Sequence, residues 1–279
     1  ASANTKGDGG EIVAIAQKDG FYEGTLKADG GVEGGDGGFI ETSGLETVGV
    51  TETAVVTAKS YDPSNYTTGT WLVDPQDIII RNGSSQVASN NLRYISAATV
   101  QSSLQGGTNT SYSTTNPAGS TAEGSITVDA DIIWNSVANF TLRAFNDIQV
   151  SQNKTVSNAG SGDITFIAGW DGNTSDPGFA FRPDPAFGVV RLRDGASVST
   201  GGDVNILAED RFKLFAGASL SGNNVNITSD DVVLDAGSSL VATNALSYDR
   251  TTAGNINLGA GGVIEQSELD LMQAALLNI

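Results

Sequence analysis

The stretch that decides the fold lies between Asp194 and Leu258. Asp194-Gly195-Ala196-Ser197-Val198 recurs as Ala216-Gly217-Ala218-Ser219-Leu220 and again as Ala236-Gly237-Ser238-Ser239-Leu240, with glycines 22 and then 20 residues apart. A second phrase follows each: Gly202-Asp203-Val204-Asn205-Ile206-Leu207, Asn224-Val225-Asn226-Ile227 and Gly254-Asn255-Ile256-Asn257-Leu258. It also occurs upstream as Gly124-Ser125-Ile126-Thr127-Val128 and Gly162-Asp163-Ile164-Thr165-Phe166. Each phrase is a short alternating run of β-branched residues bounded by Gly, Asn or Asp, the signature of a strand of four to six residues. Alternation puts Val204 and Ile206, or Val225 and Ile227, on one face and Asn205 and Asn226 on the other. No helical segment separates the strands, which excludes a doubly wound α/β fold. A period near 21 residues with two or three strands per period predicts a right-handed parallel β-helix, each coil lying on the last. Run over the whole chain, that period gives about 13 coils and a rod about 60 Å long.

Three places break the period. Residues 60–70 carry Tyr61, Pro63 and Tyr66 and read as a loop. Residues 95–117 read as a helix or loop insertion, with Ser96 as a cap, Ile95, Val100 and Leu104 at helical spacing, and Gly106-Gly107 as a stop. Residues 170–188 gather Trp170, Phe179, Phe181 and Phe187 with Pro177, Pro183 and Pro185, half of the chain's six prolines. This is the composition of a loop projecting from the rod.

Composition narrows the function classes. The 279 residues carry 14 Lys+Arg against 32 Asp+Glu, a net charge of −18, with no His and no Cys. Nucleic-acid binding needs a basic face and is not expected. Nucleophile–base chemistry through Cys or His is impossible, and zinc loses its commonest ligands. No metal or other cofactor is expected. Hydrophobic residues at 39% with 16% charged are too apolar a mix for disorder. No run approaches the ~18 apolar residues of a membrane span, and no basic-then-apolar leader opens the sequence, so no membrane insertion is expected. Absence of cysteine fits either a reducing compartment or a secreted chain. Neither end looks like a natural terminus, which reads as a fragment of a longer protein.

Two phrases resemble a known family. Gly24-Thr25-Leu26-Lys27-Ala28-Asp29-Gly30-Gly31, followed by Gly35-Asp36-Gly37-Gly38-Phe39-Ile40-Glu41-Thr42-Ser43-Gly44, looks like the "G-T-L-x-A-x-G-G … G-G-F-x-E-T-S-G" phrase of filamentous haemagglutinin-like exoproteins of bacterial two-partner secretion. Trp71-Leu72-Val73-Asp74-Pro75-Gln76-Asp77-Ile78 resembles that family's "W-L-x-D-P-x-D-I" phrase. Ile95–Leu104 with Gly106-Gly107-Thr108-Asn109 is similar to the segment that usually follows, and Glu268–Ile279 looks like the start of another repeat. The resemblance implies a long β-helical fibre, exported through an outer-membrane transporter to the cell surface or medium. Such fibres commonly attach to host cells, other bacteria or biofilm matrix, through a surface glycan or protein.

The candidate sites are few. Trp170, Phe179, Phe181, Arg182 and Phe187 are the candidate ligand-binding residues, since exposed rings stack on sugars or fill a partner's pockets; folding back onto the rod as a satellite cluster is the competing reading. Asp8, Asp36, Asp163 and Asp203 sit beside glycines and invite calcium, but no EF-hand loop or tandem nonapeptide accompanies them, and corner hydrogen bonds to their own backbone explain them better. Asp184, Arg182, Arg191, Arg193 and Arg211 could serve a polysaccharide-degrading β-helix enzyme, yet Arg191 and Arg193 alternate with Val190 and Leu192 as on an exposed strand face carrying ion pairs. Asp129 and Asp131 read as a solvated pair on one face of a strand from Ile126 to Ile133. Asn-x-Ser/Thr sequons at Asn65, Asn82, Asn109, Asn139, Asn153, Asn173 and Asn226 are mostly what composition produces. The expected function is structural and adhesive rather than enzymatic. A carbohydrate-binding module on the same rod and a polysaccharide-degrading enzyme are the alternatives.

Overall fold

A computed structural model describes residues 1–83, 94–115, 122–170, 188–251 and 266–278. Its strands pair in parallel and wind into a three-faced β-helix. On the first face Ile12, Ile40, Trp71, Thr110, Phe140, Ile164, Val204, Val225 and Leu246 stand in register, one per coil. The second face stacks Val128, Val150, Leu192, Leu214 and Leu234. The third stacks Ile132, Val156, Val198, Leu220 and Leu240. Alternation does the sorting: Val204 and Ile206 are fully buried, whereas Asn205 between them faces out and receives the Asn226 amide at 2.9 Å.

Among the described residues ten coils stack on the first face, the tenth through the pairing of Leu246 with Leu277, about 45 Å at the usual strand spacing and fewer than the period predicts. Coils of about 21 residues follow one another only in the repeat stretch among the described residues, as between Asp203 and Asn224. Elsewhere equivalent positions lie from 22 residues apart, as for Ile126 and Ile148, to 48, as for Ile78 and Ile126. The recurring glycines do mark one turn of each regular coil. Gly195, Gly217 and Gly237 take φ of +67°, +69° and +78° just before the third face, and Asn153 holds the same place one coil earlier at φ +57°. Asparagine is the residue that tolerates this conformation best after glycine.

The core is filled by an aromatic spine. Trp71, Tyr112, Phe140 and Phe166 alternate between the two inward columns of the first face, edge to face at 5.4, 6.1 and 6.2 Å. Rings placed directly above one another at a strand spacing of about 4.8 Å would be too far apart for face-to-face contact. The diagonal arrangement brings edges onto faces instead. Trp134 joins from the third face at 6.0 Å from Phe140.

In the third coil the third-face strand is replaced by a helix, Ala97–Gln105. Before it the chain steps back one level, so that Ile95 pairs with both Val50 and Ile80. Ser96 occupies the N-cap position but its side chain makes no capping bond, and Gly106 closes the helix. Val100 and Leu104 point into the core. A helix offers its neighbours no ladder, so its side chains supply one. Thr99 and Ser103 donate to Thr51 O at 2.6 Å and Val56 O at 2.8 Å in the coil below. Gln101 and Gln105 accept the N–H groups of Ile133 and Asn135 in the coil above. Both pairs use the i, i+4 spacing that aligns side chains on one helix face. Asn109–Ser113, within the 95–117 stretch, is a strand of the first face with Tyr112 fully buried.

Candidate functional site

Several corner residues follow one rule. An Asp or Asn directly before the first inward residue of a strand accepts the backbone N–H of its counterpart one coil up. Asp163 Oδ1 takes Asp203 N–H at 2.8 Å, and Asp203 Oδ1 takes Asn224 N–H at 3.0 Å. Asn109 and Asn139 extend this column downward, accepting from Asn139 N–H and Asp163 N–H. Asp77, Asp147 and Asp131 do the same for Ser125, Val189 and Thr155 at the other corners. Asp8 and Asp36 also accept from the coil above, from Asp36 N–H and Thr67 N–H, but from three residues further back. These Asp residues therefore act at corners, as expected, but on the next coil's backbone rather than their own. The dipeptides Asp77-Ile78, Asp131-Ile132, Asp147-Ile148, Asp163-Ile164 and Asp203-Val204 were the available sequence signal. Among the described residues no three Asp or Glu side chains are grouped to hold a metal ion.

Asp129 and Asp131 do not share a strand face. Strands Ile126–Asp129 and Ile132–Trp134 lie on different faces of the solenoid, with fully buried Ala130 at the corner between them. The arginines are engaged locally: Arg191 with Asp147 at 2.6 Å, Arg211 with Asp231 at 2.9 Å, and Arg193 over the Phe215 ring at 4.3 Å. Of the aromatic candidates, Trp170 is 5% exposed and its backbone N–H bonds Ala144 O at 3.0 Å. Phe179, Phe181, Arg182, Asp184 and Phe187 lie outside the described residues.

Among the described residues three sequons present exposed asparagines, Asn65, Asn82 and Asn153. Asn109, Asn139 and Asn226 are committed to inter-coil bonds. Asn173 falls outside the described residues.

One carboxyl is displaced into the physiological range. Asp74 is pushed up to about 6, first by burial and then by the charge of Glu41. Its Oδ1 is buried without a hydrogen-bond partner, as is the hydroxyl of Ser113. No hydrogen bond joins the two, so no nucleophile–base pair forms there. Burial also lowers Arg143 and raises Tyr112 well above its ordinary value.

A long depression among the described residues runs up the corner between the third and first faces. Its lower part, about 510 Å³, is floored by Gly9, Gly10, Gly37, Gly38 and Gly69 and flanked by Phe39. The upper part, about 720 Å³, is bordered by Tyr66, Asp36, Asn109, Val137 and Asn139. Thr68 lines both. The glycines are there because coils touch: a Cβ on Gly38 would fall 2.1 Å from Gly10 O, and one on Gly69 2.1 Å from Gly38 O. The upper wall is the loop between Ala58 and Gly69, pinned by an Asp62 turn that receives Asn65 and Tyr66 N–H and set with Tyr66 against Gly34. The sequence signal was Gly7-Asp8-Gly9-Gly10 recurring as Gly35-Asp36-Gly37-Gly38.

Comparison with known proteins adds no identity: no protein-family model matches the chain, and no curated protein matches it.

Proposed function

We propose that this chain is a structural and adhesive segment of a secreted or surface-exposed bacterial exoprotein of the filamentous haemagglutinin-like, two-partner-secretion kind. The observation that carries the reading is where the family-like phrases fall. Leu26 and Ala28, Ile40 and Thr42, and Trp71 and Val73 supply inward positions of three successive coils. The phrases are thus the packing code of a solenoid, as repeat units of a fibre require. Coil-to-coil hydrogen bonds run along the axis, and the core is continuous, so the segment works as a shaft that holds binding groups away from a cell. In this reading the chain is not an enzyme, and its partners are a surface glycan or protein and the outer-membrane transporter that exports the precursor.

The test is adhesion. Beads coated with the folded chain should attach saturably to epithelial or bacterial cells, and free chain should compete them off. Attachment no better than albumin-coated beads overturns the adhesive reading. Release of new reducing ends or unsaturated uronides from a polysaccharide panel would overturn the non-enzymatic one.

A further inference from the structure

We propose that the glycine-floored groove between the third and first faces binds a neutral glycan chain laid along the solenoid axis. This rests on the adhesive reading and names a site and ligand class for it. The groove crosses the coils rather than following one. Its floor descends from Asn139 to Asn109, whose backbone N–H bonds Gly69 O, then through Gly69 and Thr70, whose N–H bonds Gly38 O, to Gly38 and Gly10, one step per coil. A ligand in it crosses one coil about every 4.8 Å, a step that suits a linear polymer whose units are the size of a sugar ring.

The lining chemistry selects among polymers. Phe39 and Tyr66 are half-buried and line the groove from its two parts. Aromatic rings offer apolar surface to the flat face of a sugar. Hydroxyl and amide groups from Thr68, Thr70, Asn65 and Asn139 stand around them. The ionisable carboxylates of the lining are Glu11 and Asp36, and neither Lys nor Arg lines either part. With a chain charge of −18, an anionic polysaccharide is repelled.

An extended peptide is disfavoured for a different reason. Strand addition needs free backbone donors and acceptors. Here Gly38 and Gly69 donate at 2.7 Å to Ala28 O and Ala58 O, and Gly37 donates at 2.9 Å to Thr67 O. The floor offers shape and van der Waals contact, not an open ladder.

The experiment is saturation-transfer NMR and calorimetry on the whole chain with hexasaccharides of β-1,4-glucose, β-1,4-N-acetylglucosamine and β-1,3-galactose. Polygalacturonate and an extended Thr/Val peptide serve as comparison ligands. At least one neutral hexasaccharide should bind saturably. Val137→Arg, at a rim residue 41% exposed, should weaken it about tenfold or more, and so should Phe39→Ala. Arg211→Ala, on a distant face, should not, and circular dichroism should show all three folded. Binding of none of the neutral sugars, binding undiminished by both groove variants, or binding confined to polygalacturonate or the peptide overturns the proposal. Cell adhesion that persists in Val137→Arg while sugar binding is absent sinks the groove and leaves the adhesive reading standing. Sugar binding without cell adhesion does the reverse.

Discussion

The same corner of the solenoid is built in two ways. In the coils above Asn109, the residue before the first-face strand is Asn139, Asp163, Asp203 or Asn224, and the first three bond directly into the next coil's backbone. Asn224 continues the column through its side chain, receiving the Asn244 amide at 2.8 Å. In the lower coils the accepting aspartates, Asp8 and Asp36, sit three residues earlier, and Gly9-Gly10 and Gly37-Gly38 separate them from the strand. The first arrangement fills the corner with amides and carboxylates. The second sets the polar ladder aside and leaves a shelf of bare backbone. Regularity and available space thus trade against each other along one rod: the coils most legible as repeats leave least room for a ligand at this corner.

The largest effect should come from putting a side chain on the shelf. In Gly38→Ala the new Cβ meets Gly10 O at 2.1 Å and the Ala28 carbonyl at 2.8 Å, both backbone atoms that cannot rotate away. The coils must part, at a cost of about 3 kcal/mol or more. Denaturant melts should show that loss. A melt within 1 kcal/mol of the parent would mean the lower coils are not held by glycine contact, and the comparison would fail.

Next comes the ladder itself. Asp203 Oδ1 serves Asn224 N–H, Asn224 Nδ2 and Asn223 Nδ2, while Asp36 Oδ1 serves the exposed Thr67 N–H. Asp203→Ala should therefore cost about 2 kcal/mol, and Asp36→Ala less than about 1, because water can replace the partner at the exposed site. Equal losses in urea melts would show that the two corners bear load alike.

The contrast also explains what could be read from sequence. The parallel β-helix was legible because Val198, Leu220 and Leu240 recur at a fixed offset from glycines that turn the chain. The coil count was not, since insertions such as the helix Ala97–Gln105 keep the strand register while changing the spacing. Ser96 lay in the right place for a cap, yet burial left its hydroxyl without that bond. The groove escaped notice because its floor has no side chains to read, and Gly37-Gly38 looks like any turn. Tyr66 stood out only as loop composition, since nothing local tells that it would rest on Gly34, 32 positions earlier. Conversely, Trp170 belonged to the most conspicuous aromatic run but is buried.

Asp74 sits at the junction of the two regions, on the outward side of the strand Thr70–Val73's continuation, and gives a smaller effect with a definite sign. Its folded carboxyl takes a proton near pH 6, against 3.8 for the ordinary group. The native state therefore binds that proton before the unfolded chain does. Stability from this group rises as pH falls from 7 towards 4, and the ionised form is a cost at neutral pH. Asp74→Asn should stabilise the chain by up to about 2 kcal/mol at pH 7.5, allowing for partial exposure, and converge on the parent near pH 4. Thermal melts across that range decide it; a constant offset at every pH would show that the substitution acts through packing instead.

The smallest effect should be at the arginines of the regular coils. Arg211 reaches Asp231 at 2.9 Å, but the two side chains are 45% and 37% exposed, so solvent screens the pair. Arg211→Ala should cost about 0.5 kcal/mol or less, and less again in 1 M salt. The backbone pairing of Arg211 with Asp231 and Val189 continues without the side chain. If the measured loss instead matched that of Asp203→Ala, side-chain ion pairs and backbone-directed carboxylates would carry equal weight between coils. The physical distinction drawn between them is that an aspartate at a corner satisfies an N–H the fold has already placed, whereas an ion pair must order two flexible chains in water.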